Sequence, residues 1–193
     1  MQAFGHVPVN VENIDLLTLS AHKFYGPRGA GCLYVKSGVH LPPLLHGGGQ
    51  ESGLRSGTEN TPAICGLGKA AELAEADLEE RAAREASLLR LFAQELSGCD
   101  VRTLGGERLP GMLALFIPGF ESERLIAKLD LLGIQISGGA ACAAGSGKSS
   151  HVYRAMGLSE QEARCVLRIS VGRSTTKEGM LAAAHALRAL LSA

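Results

Sequence analysis

The spacing of apolar positions changes along the chain, and each change marks a different kind of element. Near the start the apolar residues come in two short runs, "IDLLTLS" (14–20) and "AGCLYVK" (30–36). Both read as buried strands, and "AHKFYGPRG" between them has the turn-forming residues of a loop. The stretch "LHGGGQESGLRSGTEN" (45–60) is rich in glycine and has no apolar period, so it reads as a long loop. From Thr61 onward Ala, Leu, Glu and Arg dominate. Leu67, Ala70, Ala71, Ala74, Leu78, Ala82, Leu88, Leu91 and Leu96 approximate a helical stripe. Pro62 suits a first helical turn and Gly98 a stop, which predicts one long helix, straight or kinked, reaching Leu96.

After that helix the runs shorten and alternate. "MLALFI" (112–117), "IQIS" (134–137) and "VLRISVG" (166–172) have strand character. "SERLIAKLDLL" (122–132) reads as a helix with Ser122 at its N-cap. Short helices are expected over 149–157 and 159–165, and a terminal helix over 176–192. Strands and helices interleaved in this way predict a small α/β layer unit. The expected organisation is therefore residues 1–60 as part of a larger domain, 61–97 as a connecting helix, and 98–193 as a small C-terminal domain. Strands as apolar as those in the first fifty residues need cover on both faces, and no helix there supplies it. The expectation is that another polypeptide, or an earlier part of a longer chain, does so.

Composition narrows the function classes. Nineteen basic residues balance nineteen acidic ones, so no net field draws in nucleic acid or an anionic membrane. No run approaches the roughly 20 apolar residues of a transmembrane helix, and "MQAFGHVPVN" lacks the features of a signal peptide. A soluble cytoplasmic protein is expected. The five cysteines include no CxxC pair, which suggests neither a disulfide framework nor a metal site. Cys32, Cys65 and Cys165 lie in apolar stretches and read as small buried hydrophobes.

Cys142 is different. In "ISGGAACAAGSGKSS" (136–150) it is a thiol set among Gly, Ala and Ser, with neither a core periodicity nor a fixed partner. Glycine permits backbone angles denied to other residues, and the small neighbours leave the thiol uncrowded, so the residues alone leave its purpose open. Lys23 follows a strand directly, with Ser20 and His22 beside it, a setting that suits Schiff-base chemistry; a solvated surface lysine is the plain alternative. Arg168 stands in an apolar strand where an unpaired charge is expensive. It reads either as a carboxylate-binding fork or as a structural ion pair with the Glu160 or Glu162 region.

These segments together resemble one family. "SAHKFYGPRGAG" looks like the pyridoxal-phosphate lysine motif of cysteine desulfurases, in the class V aminotransferase superfamily of fold type I. "HGGGQESGLRSGTENTP" resembles the family's glycine-rich segment, "ISGGAACAAGSGKSSHVYRAMGL" its cysteine loop, and "LRISVGRSTT" its substrate-arginine strand. The resemblance covers essentially the whole chain. It implies an α/β fold made of the end of a large cofactor domain with a partial mixed sheet, a long connecting helix and a small C-terminal domain.

It also implies roles. Lys23 would carry pyridoxal 5'-phosphate, Ser20 and His22 would bind its phosphate, and Gln2 its phenolic oxygen. Thr58 would reach the cofactor phosphate of a second subunit in a homodimer, or else cap the helix ahead of Pro62. Arg168 would hold the carboxylate of L-cysteine. Cys142 would take the sulfur as a persulfide, releasing L-alanine, and pass it to an iron–sulfur scaffold or a tRNA-thiolation enzyme. Ala143 and Ala144 replace serines that usually follow the family's cysteine. The aspartate that holds the cofactor's ring nitrogen would precede Met1. The expectation is accordingly a C-terminal half, N-terminally truncated and inactive alone. Alternatives are a selenocysteine lyase or aminotransferase of the same superfamily, and a non-catalytic sulfur-carrier or interaction module.

Overall fold

The structure is a computed structural model, and it describes residues 3–139 and 150–192. It divides into two compact units, Met1–Glu80 and Arg81–Ala193.

In the first unit, β1 (Leu16–Ser20) pairs antiparallel with β2 (Gly31–Val35), from Leu16 opposite Val35 to Ser20 opposite Gly31. One 3-10 turn, Ala21–Phe24, begins the connection between them. The helix α1 (Thr61–Ala76) follows the glycine-rich loop. Its Ala70 and Ala74 pack with Ala21 and Phe24, and Leu19, Ala30, Leu67 and Ala71 border this small cluster. The strands are less enclosed than their composition predicts. Leu16 and Leu33 are exposed, as are Cys32 on β2 and Cys65 on α1. The reading of these two cysteines as buried hydrophobes is thus corrected: the unit's one cluster does not extend over them.

The second unit holds the main core. The helix α2 (Leu78–Glu95) is separated from α1 by Asp77, whose backbone leaves the helical region (φ −109, ψ 12). The stripe expected to run through one helix is therefore shared between two. A three-stranded antiparallel sheet has the order β3 (Arg102–Leu104), β4 (Met112–Phe116), β5 (Val166–Ser170), with β4 in the middle. The period of two sorts the side chains cleanly. Leu113, Leu115 and Ile117 from the β4 side, and Leu167, Ile169 and Val171 from the β5 side, enter one core. That core also takes Leu88, Phe92 and Leu96 from α2 and its end. Leu125 and Leu129 come from α3 (Ser122–Asp130), and Met180, Ala184 and Leu187 from α6 (Lys177–Leu191). On the other face, Ala114, Phe116 and Val166 pack with Tyr153 of α4 (His151–Ala155) and Ala163 of α5 (Glu160–Ala163).

Two arginines tie elements together through backbone carbonyls. Arg84 on α2 donates to Gly172, Arg173 and Thr175 at 2.8–3.0 Å, holding the loop that leaves β5. Arg188 on α6 donates to the carbonyls of Glu95 and Ser97 at 2.7 and 2.9 Å, which closes the end of α2. Gly98 ends that region in the left-handed conformation (φ 86), as expected from its position. Ser122 is the first residue of α3 and not its cap. Glu121 occupies the cap, while Ser122 is buried and its N–H donates to Arg164 O at 2.8 Å.

Candidate active site

The turn after β1 shows how a short sequence can present an amine. A 3-10 turn repeats every three residues. Ala21 and Phe24 therefore share a side, and both are buried, with Phe4 meeting Phe24 edge-on at 4.9 Å. His22 and Lys23 between them are left on the exposed side. Tyr25 ends the turn at φ 68, and the N–H of Gly26 donates to Ala21 O at 2.9 Å. A Cβ at Gly26 would stand 2.8 Å from Ala21 Cβ, and one at Gly31 would stand 2.7 Å from Leu19 O. The two glycines let the returning chain pass this close to the strand end. Ser20 precedes the turn in an extended conformation, and its hydroxyl makes no capping bond. The reading of β1 as a buried strand is corrected: its residues are exposed or half-buried, and Lys23 beyond it is exposed.

Thr58 is exposed on the glycine-rich loop. It does not cap α1. Asn60 does, accepting from Ala63 N at 3.3 Å with Pro62 in the first turn. That frees Thr58 from the structural role considered for it. Gln2 and Cys142 lie outside the described residues.

Arg168 occupies the middle of β5, opposite Ala114 on β4. On its other side an isolated antiparallel bridge joins it to Ser137. Arg168 N donates to Ser137 O at 2.6 Å, and Ser137 N to Arg168 O at 3.3 Å. "IQIS" thus contributes one bridge to the sheet and not a full strand. The guanidinium is half-buried, with Nη2 donating to Ser137 Oγ at 3.5 Å. The structural ion pair considered for Arg168 does not form among the described residues. Glu160 pairs instead with Arg164 (3.0 Å) and Arg154 (3.6 Å), and Glu162 serves a capping box with Ser159. Arg168 Nε is buried and has no hydrogen-bond partner among the described residues. A buried donor left in that state costs about 1–3 kcal/mol. Tyr153 is buried nearby. Burial pushes its phenol above the ordinary value of 10.0, and the Arg168 charge pulls it partly back.

A half-buried arginine with an unpartnered Nε–H, an amine on a strand-end turn and a glycine-rich loop stand where three of the four sequence motifs lie; most of the fourth, with Cys142, is outside the described residues. The family described as Aminotransferase class-V matches residues 1–182. The chain belongs to this family. Among curated relatives, the cysteine desulfurase IscS of Clostridium botulinum is 44% identical over 189 residues, covering 92% of this chain and 47% of the relative. The solved structure of a NifS-like protein from Rickettsia africae is 30% identical. It aligns with a TM-score of 0.88, covering 100% of this chain and 52% of its own. The structure of SspA in complex with cysteine is 37% identical, with a TM-score of 0.68, covering 88% of this chain and 48% of its own. The chain spans about half the length of the curated relatives it matches.

Members of the class V aminotransferase and cysteine desulfurase families depend on pyridoxal phosphate. The donor set on this class V aminotransferase chain fits such a group. An uncommitted hydroxyl at Ser20 and an exposed imidazole at His22 suit a phosphate. A primary amine at Lys23 suits an aldehyde, and the close approaches at Gly26 and Gly31 leave no side chain in the way. One participant escaped the sequence reading. Ser137 is the hydrogen-bonding residue beside Arg168, and its signal was a hydroxyl ending the short run "IQIS".

Proposed function

We propose that the chain provides the lysine, cysteine and arginine of a cysteine desulfurase. Such an enzyme takes sulfur from L-cysteine, leaves L-alanine and holds the sulfur as a persulfide on Cys142. The observation that carries this reading is Arg168: a half-buried guanidinium with a buried, unsatisfied Nε–H and no carboxylate partner among the described residues. A guanidinium fork in that condition matches an α-carboxylate with parallel charge-assisted hydrogen bonds.

Lys23 would carry pyridoxal 5'-phosphate, with Ser20, His22 and Gln2 as its contacts and Thr58 serving the phosphate of a second subunit in a homodimer. When bound, that group supplies an electron sink for charge developing at the substrate's Cα. Lys23 Nζ would take the Cα proton. Arg168 would fix the carboxylate and so orient the substrate. Cys142 Sγ, as a thiolate, would attack the substrate sulfur: an S–S bond forms, the Cβ–S bond breaks, and its electron pair takes up a proton to become the methyl group of alanine. The sulfur would then pass to an iron–sulfur scaffold or a tRNA-thiolation enzyme.

The test uses a chimera in which this chain replaces the matching half of the Clostridium botulinum relative. With pyridoxal phosphate and L-cysteine it should yield alanine and, by mass spectrometry, a persulfide on Cys142. Lys23→Ala should abolish both, and Cys142→Ser should abolish the persulfide. A folded chimera that releases a keto acid, or never labels Cys142, overturns the reading in favour of an aminotransferase or a non-catalytic module. The chain by itself, given cofactor, should show little or no turnover.

A further inference from the structure

We infer that Ser137 is a positioning residue for Arg168, orienting the guanidinium while leaving its charge available to a carboxylate ligand. The inference rests on the functional reading above. The two backbone hydrogen bonds between residues 137 and 168, at 2.6 and 3.3 Å, make them a directly opposed antiparallel pair. Side chains of such a pair lie on the same face and within reach of one another. Arg168 has a second cross-strand neighbour, Ala114, which carries no polar side-chain atom. Ser137 is therefore the cross-strand residue able to hold the guanidinium, and its Oγ accepts from Nη2 at 3.5 Å.

Ser137 is itself held from both directions along the chain. Ile134 and Ile136 pack on the main core. Gly138 follows so close to the buried Ser122 that a Cβ there would stand 2.9 Å from its Oγ. A fixed hydroxyl suits the task better than a carboxylate would. An acidic residue at 137 would neutralise Arg168 and compete with the ligand. A hydroxyl accepts one N–H, restrains a long and flexible arm, and leaves the Nε–H and the remaining Nη donors for two parallel bonds.

In the chimera, Ser137→Ala should raise KM for L-cysteine about three- to tenfold with kcat little changed, the range expected for one long hydrogen bond to a charged group. Ser137→Thr keeps the hydroxyl and should restore KM to within about twofold of the parent. A second readout needs neither cofactor nor turnover. In the chain itself, the Arg168 Nε–H resonance, assigned by its loss in Arg168→Lys, should exchange with water faster in Ser137→Ala and at the parent rate in Ser137→Thr. An unchanged KM together with an unchanged exchange rate in Ser137→Ala overturns the inference and leaves the desulfurase reading standing. A parent chimera that makes no persulfide sinks the desulfurase reading instead, while the exchange experiment still decides whether Ser137 holds Arg168.

Discussion

A methyl group added at Gly138 would sit 2.9 Å from Ser122 Oγ, 3.3 Å from Ile126 Cδ1 and 3.4 Å from Ser122 Cβ. Ser122 is buried and its backbone is tied to Arg164 O, so it has little freedom to retreat. Gly138→Ala should therefore destabilise the chain by about 1–3 kcal/mol, the usual cost of overpacking, seen as a lower urea midpoint at unchanged m-value. Gly139 gives the contrast, because a Cβ there would meet Ser150 Cβ at an ordinary 3.6 Å. Gly139→Ala should shift the midpoint far less, and equal shifts would remove the packing argument. The sequence associated Gly138 with backbone freedom next to Cys142, whereas the structure gives it a packing role. At this scale chemistry was legible where a residue's type was costly in its surroundings. Arg168 in an apolar strand is such a residue, whereas exposed Lys23 is not and stands out by its sequence motif alone. Contacts that depend on residues distant in sequence, such as Ser137 with Arg168 or Gly138 with Ser122, leave no local trace.

Among the elements, the start of α1 separates two candidate caps. Asn60 accepts from Ala63 N at 3.3 Å, while Thr58 is exposed and makes no hydrogen bond among the described residues. Asn60→Ala should cost about 1 kcal/mol of stability, a typical N-cap loss, and Thr58→Ala should cost nearly nothing. Denaturant titrations of the two variants check this, and the reverse order would return the cap to Thr58. Element existence was largely readable because strong apolar periodicity survives in tertiary structure: β1, β2, β4, β5, α3 and α6 stand where the pattern put them. What failed were elements whose sequence is ambiguous. The strand β3 is "RTL", an edge strand with exposed Arg102 and Thr103, and it offers no apolar alternation to notice. The kink allowed for in the long stripe through 61–96 falls at Asp77, a residue whose side chain competes with helical backbone bonding.

At the scale of the molecule, the two units differ in how far each completes a core. The second unit buries residues from α2, α3, α6, β4 and β5 in one cluster, with Leu167, Ala184 and Leu187 fully enclosed. The first unit has a cluster of four buried residues and leaves Leu16, Leu33, Ile64 and Leu73 exposed. Apolar burial is the main force that offsets chain entropy, so the second unit has the means to fold by itself and the first does not. Expression of residues 78–193, which keeps α2 whole, should give a fragment that unfolds in one cooperative step. The chain has no tryptophan, which makes Tyr153 the natural tertiary probe, since it is 5% exposed in this unit. Its near-ultraviolet dichroism should vanish at the same urea concentration as the far-ultraviolet helix signal. Residues 1–77 should show neither a sharp transition nor a fixed near-ultraviolet signal. If the second fragment melts without cooperativity, or if the first folds sharply, then the enclosed cluster is not what organises this chain. Lys23 belongs to the first unit and Arg168 to the second. If Arg168 binds a carboxylate as proposed, added L-alanine should raise the urea midpoint of residues 78–193 and leave that of an Arg168→Lys fragment unmoved; no shift in the parent fragment would show that Arg168 does not bind a carboxylate there by itself.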